Sequence, residues 1–293
     1  VQTLLVYLAQ TLTASAPLCL AALGGVISER SGVATISLEA YLLGGAFAAA
    51  AVALATASLP LALLGAVALG AALGGVFAWS TISLRANAIV AGVAVNLLAA
   101  AGTRVALKVL YDSAANSPAL PIGRASSASI GAAALSEALR APAVLLTPLV
   151  AWALHVTLRD TVFGMRVTAC GENPDAARSL GVSVPRVRAA ALVLGGAVAA
   201  LGGAQLALFQ HEFVAYMSGG RGFLALAAVI LGRWRPLRAV GWAVGIGALQ
   251  ALEATLSSRA GVPHALLQAM PFALTLLAVA GPWGRARAPA ALG

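Results

Sequence analysis

The feature that most constrains this chain is a succession of long apolar runs joined by short connections that carry arginine. A run of about 18 or more apolar residues with few charges reads as a transmembrane helix. Such runs fall at roughly 3–27, 36–57, 60–83, 88–110, 142–158, 187–210, 222–233, 238–257 and 264–283. Hydrocarbon offers the backbone no hydrogen-bond partner, so each run must satisfy its own N–H and C=O groups as a helix. Ala, Leu and Gly dominate, without the strict alternation of a membrane barrel. The expected fold is all-α: a single polytopic transmembrane bundle over 1–293, of about 8–10 spans. The run 222–233 is short for a crossing and reads as a tilted, broken or re-entrant piece. Segment 28–40 is irregular and reads as chain that enters the membrane partway.

Composition agrees. Apolar residues make up 61% of the chain and charged residues 9%, against about 25% charged in a soluble domain. The net charge of +9 rests almost wholly on arginine, with Lys108 the only lysine. A basic balance can signal nucleic acid. Here the arginines sit in short loops between spans, which is the positive-inside pattern, so nucleic acid is excluded as a partner. Arg159, Arg166, Arg178, Arg186 and Arg188 occupy 159–188, Arg233, Arg235 and Arg238 the next connection, and Arg285 and Arg287 the end. Alternate crossings put all three groups on one side, the cytoplasm, together with Arg30, Arg85 and the C-terminus. The Ser-, Ala- and Pro-rich loop 111–141 then lies outside, in the periplasm. Arg104 and Lys108 are misfits near the outer end of their span, with Asp112 as a nearby partner. The first run lacks a basic leader and a small-residue cleavage site, so it reads as a first span and not a removable signal.

Small residues crowd the spans: Gly70 with Gly74, Gly241 with Gly245, and Gly195, Gly196, Gly202 and Gly203. Small residues let helix backbones approach closely in lipid, which implies a tight bundle; a genome rich in Gly and Ala codons gives the same pattern.

The most informative polar stretch is FGMRVTACGENPDAARSLGVSVPRVR, from Phe163 to Arg188. Asn173 suits a helix N-cap and Pro174 its first position. Gly181 suits the left-handed residue that ends it. Asp175 and Arg178 fall on one face. A helix of two turns does not stand alone, so it is either a docking knob for a separate engine or a plain capped loop.

Three blocks carry a family resemblance: LAALGGVISERSGVATISLE (Leu20–Glu39), Gly164–Arg188, and SGGRGFLALAAVILGRWRPL (Ser218–Leu237). Together with the ending RAPAALG, and over nearly the full length, the chain resembles the permeases of ABC importers for nucleosides and simple sugars, fed by basic-membrane-protein-type lipoprotein receptors. The resemblance implies a bacterial inner-membrane, multi-pass subunit. It implies partners too: a second permease subunit, ATP-binding subunits and an extracytoplasmic substrate-binding lipoprotein, with a nucleoside or simple sugar as solute. Segment 159–187 would be the cytoplasmic coupling segment, with Gly171, Glu172, Asn173, Pro174, Asp175, Arg178 and Gly181 meeting the ATPase. Thr35 stands where the family has Asn, and Ser37 and Ala40 where it has Gly. The break before the next span reads Arg235, Pro236, Leu237, Arg238 in place of Asn-Pro-Leu-Gly.

The chain has no GxxxxGK[ST] phosphate loop, and its three histidines, His155, His211 and His264, lie far apart. No enzymatic activity, cofactor or metal is expected, and ATP hydrolysis is assigned to a partner. Cys19 and Cys170 make no disulfide framework. Charge within a span costs at least about 2.5 kcal/mol on insertion scales and usually faces a cavity or a partner. Glu39, Asn96, Gln205, Gln250 and Glu253 are therefore candidates to line a substrate pathway, against the alternative of helix–helix hydrogen bonds. Arg221 among Gly219, Gly220 and Gly222 marks a break that either gates or caps. Branched-chain amino acids and pentoses are the rival solutes. An ion-coupled secondary transporter would need more buried acids, and a membrane enzyme a catalytic cluster, than the sequence offers.

Overall fold

The computed structural model describes residues 2–122, 135, 138–139, 141–257, 264–281 and 288–292. About half of the loop expected over 111–141, and the terminal Arg285 and Arg287, therefore lie outside the described residues. Helices run in the order α1 (Gln2–Arg30), α2 (Leu38–Thr56), α3 (Leu59–Ala78), α4 (Ala88–Tyr111), α5 (Pro142–Asp160), α6 (Val162–Glu172), α7 (Pro174–Ser179), α8 (Val184–Gln210), α9 (Arg221–Leu231), α10 (Pro236–Ser257) and α11 (His264–Ala280). A π turn, Trp79–Ser83, extends α3, and a 3-10 turn, Ala290–Leu292, follows α11. Seven helices are long and apolar enough to cross a membrane, and two shorter apolar ones, Arg221–Leu231 and Leu267–Ala280, accompany them. Among the described residues the β-bridge recorded is an isolated one between Asn116 and Val214.

Helix α8 is the axle, packed by α1, α2 and α3. Glycine makes this possible. A Cβ on Gly70 would stand 2.5 Å from the Gly196 carbonyl, and one on Gly74 2.6 Å from the Leu192 carbonyl. As residue numbers rise along α3 they fall along α8, so the two run antiparallel. Gly45 and Gly203 likewise press on the backbones of Ala200 and Leu42. Gly241 and Gly245 differ: a Cβ on either meets nothing within 4 Å. The two glycine pairs have the same spacing, yet among the described residues only the first closes a helix contact. Dispersion between closely packed backbones holds such a bundle where no hydrophobic drive exists between helices.

The ends of the bundle differ in charge. Arg85, Arg178 and Arg188 line one cavity, and Arg30, Arg159, Arg235 and Arg238 another. Arg30 and Arg188 both bond to the turn after α1 or to its neighbours, which puts the two groups at one basic end. At the opposite end, Lys108 pairs with Asp112 at 2.6 Å. Arg104 there lies over the Tyr216 ring, 5.6 Å from its centre, and donates to its hydroxyl at 3.1 Å. Asp112 is thus the partner expected for Lys108, while Arg104 finds an aromatic one.

Candidate functional site

Two helices begin inside the bundle and not at its ends. Helix α1 runs to the basic end and stops at Arg30. Residues 31–37 then turn back, and Leu38 opens α2 with Cδ1 3.1 Å from where a Gly25 Cβ would stand. Helix α2 therefore starts about 7 Å along the bundle from Arg30, at 1.5 Å per residue. Helix α9 starts at the same depth, at the Gly220–Gly222 break against Glu39, and runs to the basic end. There Trp234 meets Glu29. The short run 222–233 of the sequence is this broken helix.

The first turn of a helix leaves N–H groups without intrahelical partners. Neither start supplies its own cap: Ser37 makes no side-chain cap bond, and Gly220, at φ +81°, has no side chain. Both caps come from elsewhere in the bundle. Glu39 accepts from the Gly220 N–H through Oε1 at 2.8 Å and from the Gly222 N–H through Oε2 at 2.7 Å. Asn96 of α4 accepts from the Ala40 N–H at 2.9 Å and donates to the Ile36 carbonyl at 3.1 Å. Two helix N-termini, each carrying partial positive charge, thus face one carboxylate. Gly222 is glycine because a Cβ there would run into the Glu39 backbone. The Arg221 guanidinium bonds the Met217 carbonyl at 3.0 Å and lies in the field of Glu39 and Glu253.

The structure therefore brings Glu39, Arg221 and Glu253 into one electrostatic neighbourhood. Asn96 sits on the α2 start. Gln205 and Gln250 keep buried amide oxygens without a hydrogen-bond partner among the described residues. Glu29, which sequence reasoning passed over, is buried and holds two donors: the Trp234 indole at 2.6 Å and the Thr35 N–H at 3.2 Å. Its only signal was an acid next to Arg30 at the end of a span, and that reads equally well as a solvated turn.

At the basic end, α6 and α7 form a separate knob. Asn173 caps α7 by accepting from the Ala176 N–H at 3.0 Å, and Pro174 follows at the first helical position. Arg178 pairs with Asp175 at 2.8 Å. The Val182 N–H reaches the Ala177 carbonyl and the Gly181 N–H the Arg178 carbonyl, each at 3.0 Å, with Gly181 at φ +81°. This is the Schellman closure, sealed by Val182 over Ala177, Cys170 and Val184. The closure turns Leu180 outward, 84% exposed. The knob is tied to the bundle by Arg188, which donates to the Ser31 carbonyl at 2.9 Å and the Cys170 carbonyl at 3.1 Å. Gly171 lets the α6 backbone rest on the Arg30 carbonyl. Glu172 lines the cavity beside Arg30 and Arg235. Burial pushes the Cys170 thiol above its usual range, against the pull of Arg188.

Comparison with known proteins places this arrangement among transport proteins. The family of the branched-chain amino acid transport system, permease component, matches residues 7–279. This chain belongs to that family. It is a multi-pass membrane permease, and its relatives are subunits of ABC transporters. The guanosine ABC transporter permease protein NupQ of Bacillus subtilis is 35% identical over all of this chain and 97% of its own length. The nucleoside ABC transporter permease protein NupC of Lactococcus lactis is 32% identical, with the same coverage of 100% and 97%. The glucose ABC transporter permease protein TsgB13 of Haloferax volcanii is 29% identical over 89% of this permease and 73% of its own length. Among solved structures, an ABC transporter in an inward-facing conformation superposes with a TM-score of 0.55. It covers 93% of this permease and 85% of its own chain at 18% identity, a likeness of fold alone.

Proposed function

We propose that this permease carries nucleosides, or simple sugars related to them, inward across a bacterial inner membrane, driven by ATP hydrolysis on a separate subunit. The observation that carries the reading is its end-to-end similarity to a guanosine permease, 35% identical with neither chain left largely uncovered. Branched-chain amino acids, pentoses and ion-coupled transport are less well supported by the same similarity.

In this reading the basic end is cytoplasmic and the C-terminus lies there. An extracytoplasmic binding lipoprotein delivers the solute at the opposite end, and a second permease subunit completes the passage. Helix α7 and its flanks, Gly171–Gly181, dock in the ATP-binding subunit. Closure of that subunit pulls the knob, and Arg188 passes the movement to the turn after α1. From there the chain leads directly to Glu39 and the two helix starts. Access then changes side at the α2–α9 junction, with no covalent bond made or broken by this chain. Glu39, Asn96, Gln205, Gln250 and Glu253 are assigned to the pathway: Glu39 and Asn96 hold its broken helices, and the unsatisfied oxygens of Gln205 and Gln250 are offered to solute donors as the junction opens.

Radiolabelled guanosine uptake by a strain deleted for this permease tests the reading. Complementation should restore uptake, and replacing residues 173–181 with a flexible linker should abolish it while membrane insertion persists. Uptake unaltered by the linker would overturn the coupling role. Restored uptake of leucine, with neither a nucleoside nor a simple sugar moved, would overturn the solute.

A further inference from the structure

We propose that the cavity at the basic end between α5, α6 and the start of α10 is a headgroup site for an anionic phospholipid. The cavity, about 810 Å³, is lined by Arg30, Arg159, Arg235 and Arg238, with Glu172 as its only acid. Like charges brought together repel unless a counter-charge sits among them. Arg30 and Arg235 lie close enough for their charges to act on each other. Glu172 offsets the charge of Arg30, and within the described residues little else balances the group. Arg159 reaches only its neighbour Asp160, at 3.9 Å and largely in solvent. Neither Arg235 nor Arg238 has an ion-pair or side-chain hydrogen-bond partner there. The first turn of α10 opens on the same space through Pro236, Leu237 and Arg238, which adds its dipole in favour of an anion.

What distinguishes a lipid from a free phosphate is the surface above. The α5 face that carries His155 and Arg159 continues through Trp152, Leu149 and Leu145, all exposed apolar side chains at helical spacing. The α10 face above Leu237 continues through exposed Val244. A phosphate held by the arginines thus has a track for acyl chains on both sides. Guanidinium groups suit phosphate oxygens by paired donation, and basic pockets between membrane helices on the cytoplasmic side fit anionic headgroups. The inference rests on the membrane fold and not on the transported solute.

The test is native mass spectrometry of the permease purified with its partner subunits in detergent, with phosphatidylglycerol or phosphatidylcholine added. Phosphatidylglycerol should remain bound, and phosphatidylcholine should not. Arg235→Gln with Arg238→Gln should lower phosphatidylglycerol retention at least tenfold. Arg166→Gln with Arg186→Gln removes the same charge outside the cavity and should leave retention unchanged. Should the first pair fail to assemble, Ala169→Trp puts an indole into the cavity with every arginine in place and should lower lipid retention as well. Equal retention in all variants, equal loss in the Arg166/Arg186 control, or displacement by millimolar inorganic phosphate alone would overturn the site. So would loss of the ATP-binding partner with lipid retention intact, since the cavity would then hold an acidic segment of that partner.

Discussion

The indole N–H of Trp234 donates a 2.6 Å hydrogen bond to Oε2 of Glu29, across 205 positions of sequence. The reverse strap runs alongside it, from Arg30 Nε to the Trp234 carbonyl at 3.0 Å. Together they fasten the end of α1 to the turn after α9. Trp234→Phe should keep the packing and strip the buried carboxylate of its nearest donor. A buried polar group left without its hydrogen-bond partner costs about 1–3 kcal/mol, and detergent-solubilised unfolding should report a loss in that range. A loss no larger than that of a surface substitution would show that Glu29 is satisfied some other way.

Glu39→Ala should be worse than Glu39→Gln. Alanine leaves the Gly220 and Gly222 N–H groups uncapped in the interior, roughly 1–3 kcal/mol for each buried unsatisfied donor. Glutamine keeps one acceptor. Uptake assays on correctly inserted protein should rank wild type above Gln and Gln above Ala; the opposite order would remove Glu39 from its capping role.

Two glycine pairs with one spacing should respond oppositely. Gly74→Ala drives a methyl against the Leu192 carbonyl and, with backbone that yields little, should cost about 1–3 kcal/mol. Gly245→Ala meets no atom within 4 Å and should gain up to about 1 kcal/mol of helix propensity. Thermal unfolding of the isolated permease separates them.

Leu180 should prove an anchor of the knob. Asn173→Ala removes the α7 cap and should cost about 1 kcal/mol of local stability, seen as faster hydrogen exchange over 174–182. Leu180→Ser leaves the caps intact, yet should weaken co-purification of the ATP-binding subunit about tenfold, or about 1.4 kcal/mol. Unchanged co-purification would move the contact elsewhere on the knob.

Neither native cysteine should react in the folded protein. Cys19 and Cys170 are both buried, and Cys170 loses thiolate further because burial raises its pKa above the ordinary value of about 8.5. At pH 8 maleimide should label the denatured chain and spare the native one. Leu180→Cys would then be a clean reporter: labelling only after access to the cytoplasmic face fits the orientation, and labelling from outside intact cells refutes it.

Local rules read from sequence held where their partners are near. Asn173, Pro174 and Gly181 mark α7 because a cap, a fixed φ and a left-handed residue act within a few positions. Glu39 and Asn96 stood out as polar groups in apolar runs, but their work did not, because Glu39 bonds residues 181 and 183 positions away and Asn96 reaches back 56 and 60. Glu29 was passed over for the same reason, and Gly74 and Gly245 look alike until a neighbouring backbone is placed beside one of them.

The sequence by itself determined the solvent, the helical class, the basic side and the capped knob. Each follows from the cost of leaving charge or backbone polar groups in hydrocarbon, or from dihedral preference over a few residues. The sequence marked 28–40 and 222–233 as interrupted, but the tertiary structure alone decided that α2 and α9 start at one depth, and that Glu39 lies between them. A broken helix is stable only when some other part of the chain satisfies its open N–H groups, and which part does so depends on packing between distant segments, to which periodicity is blind.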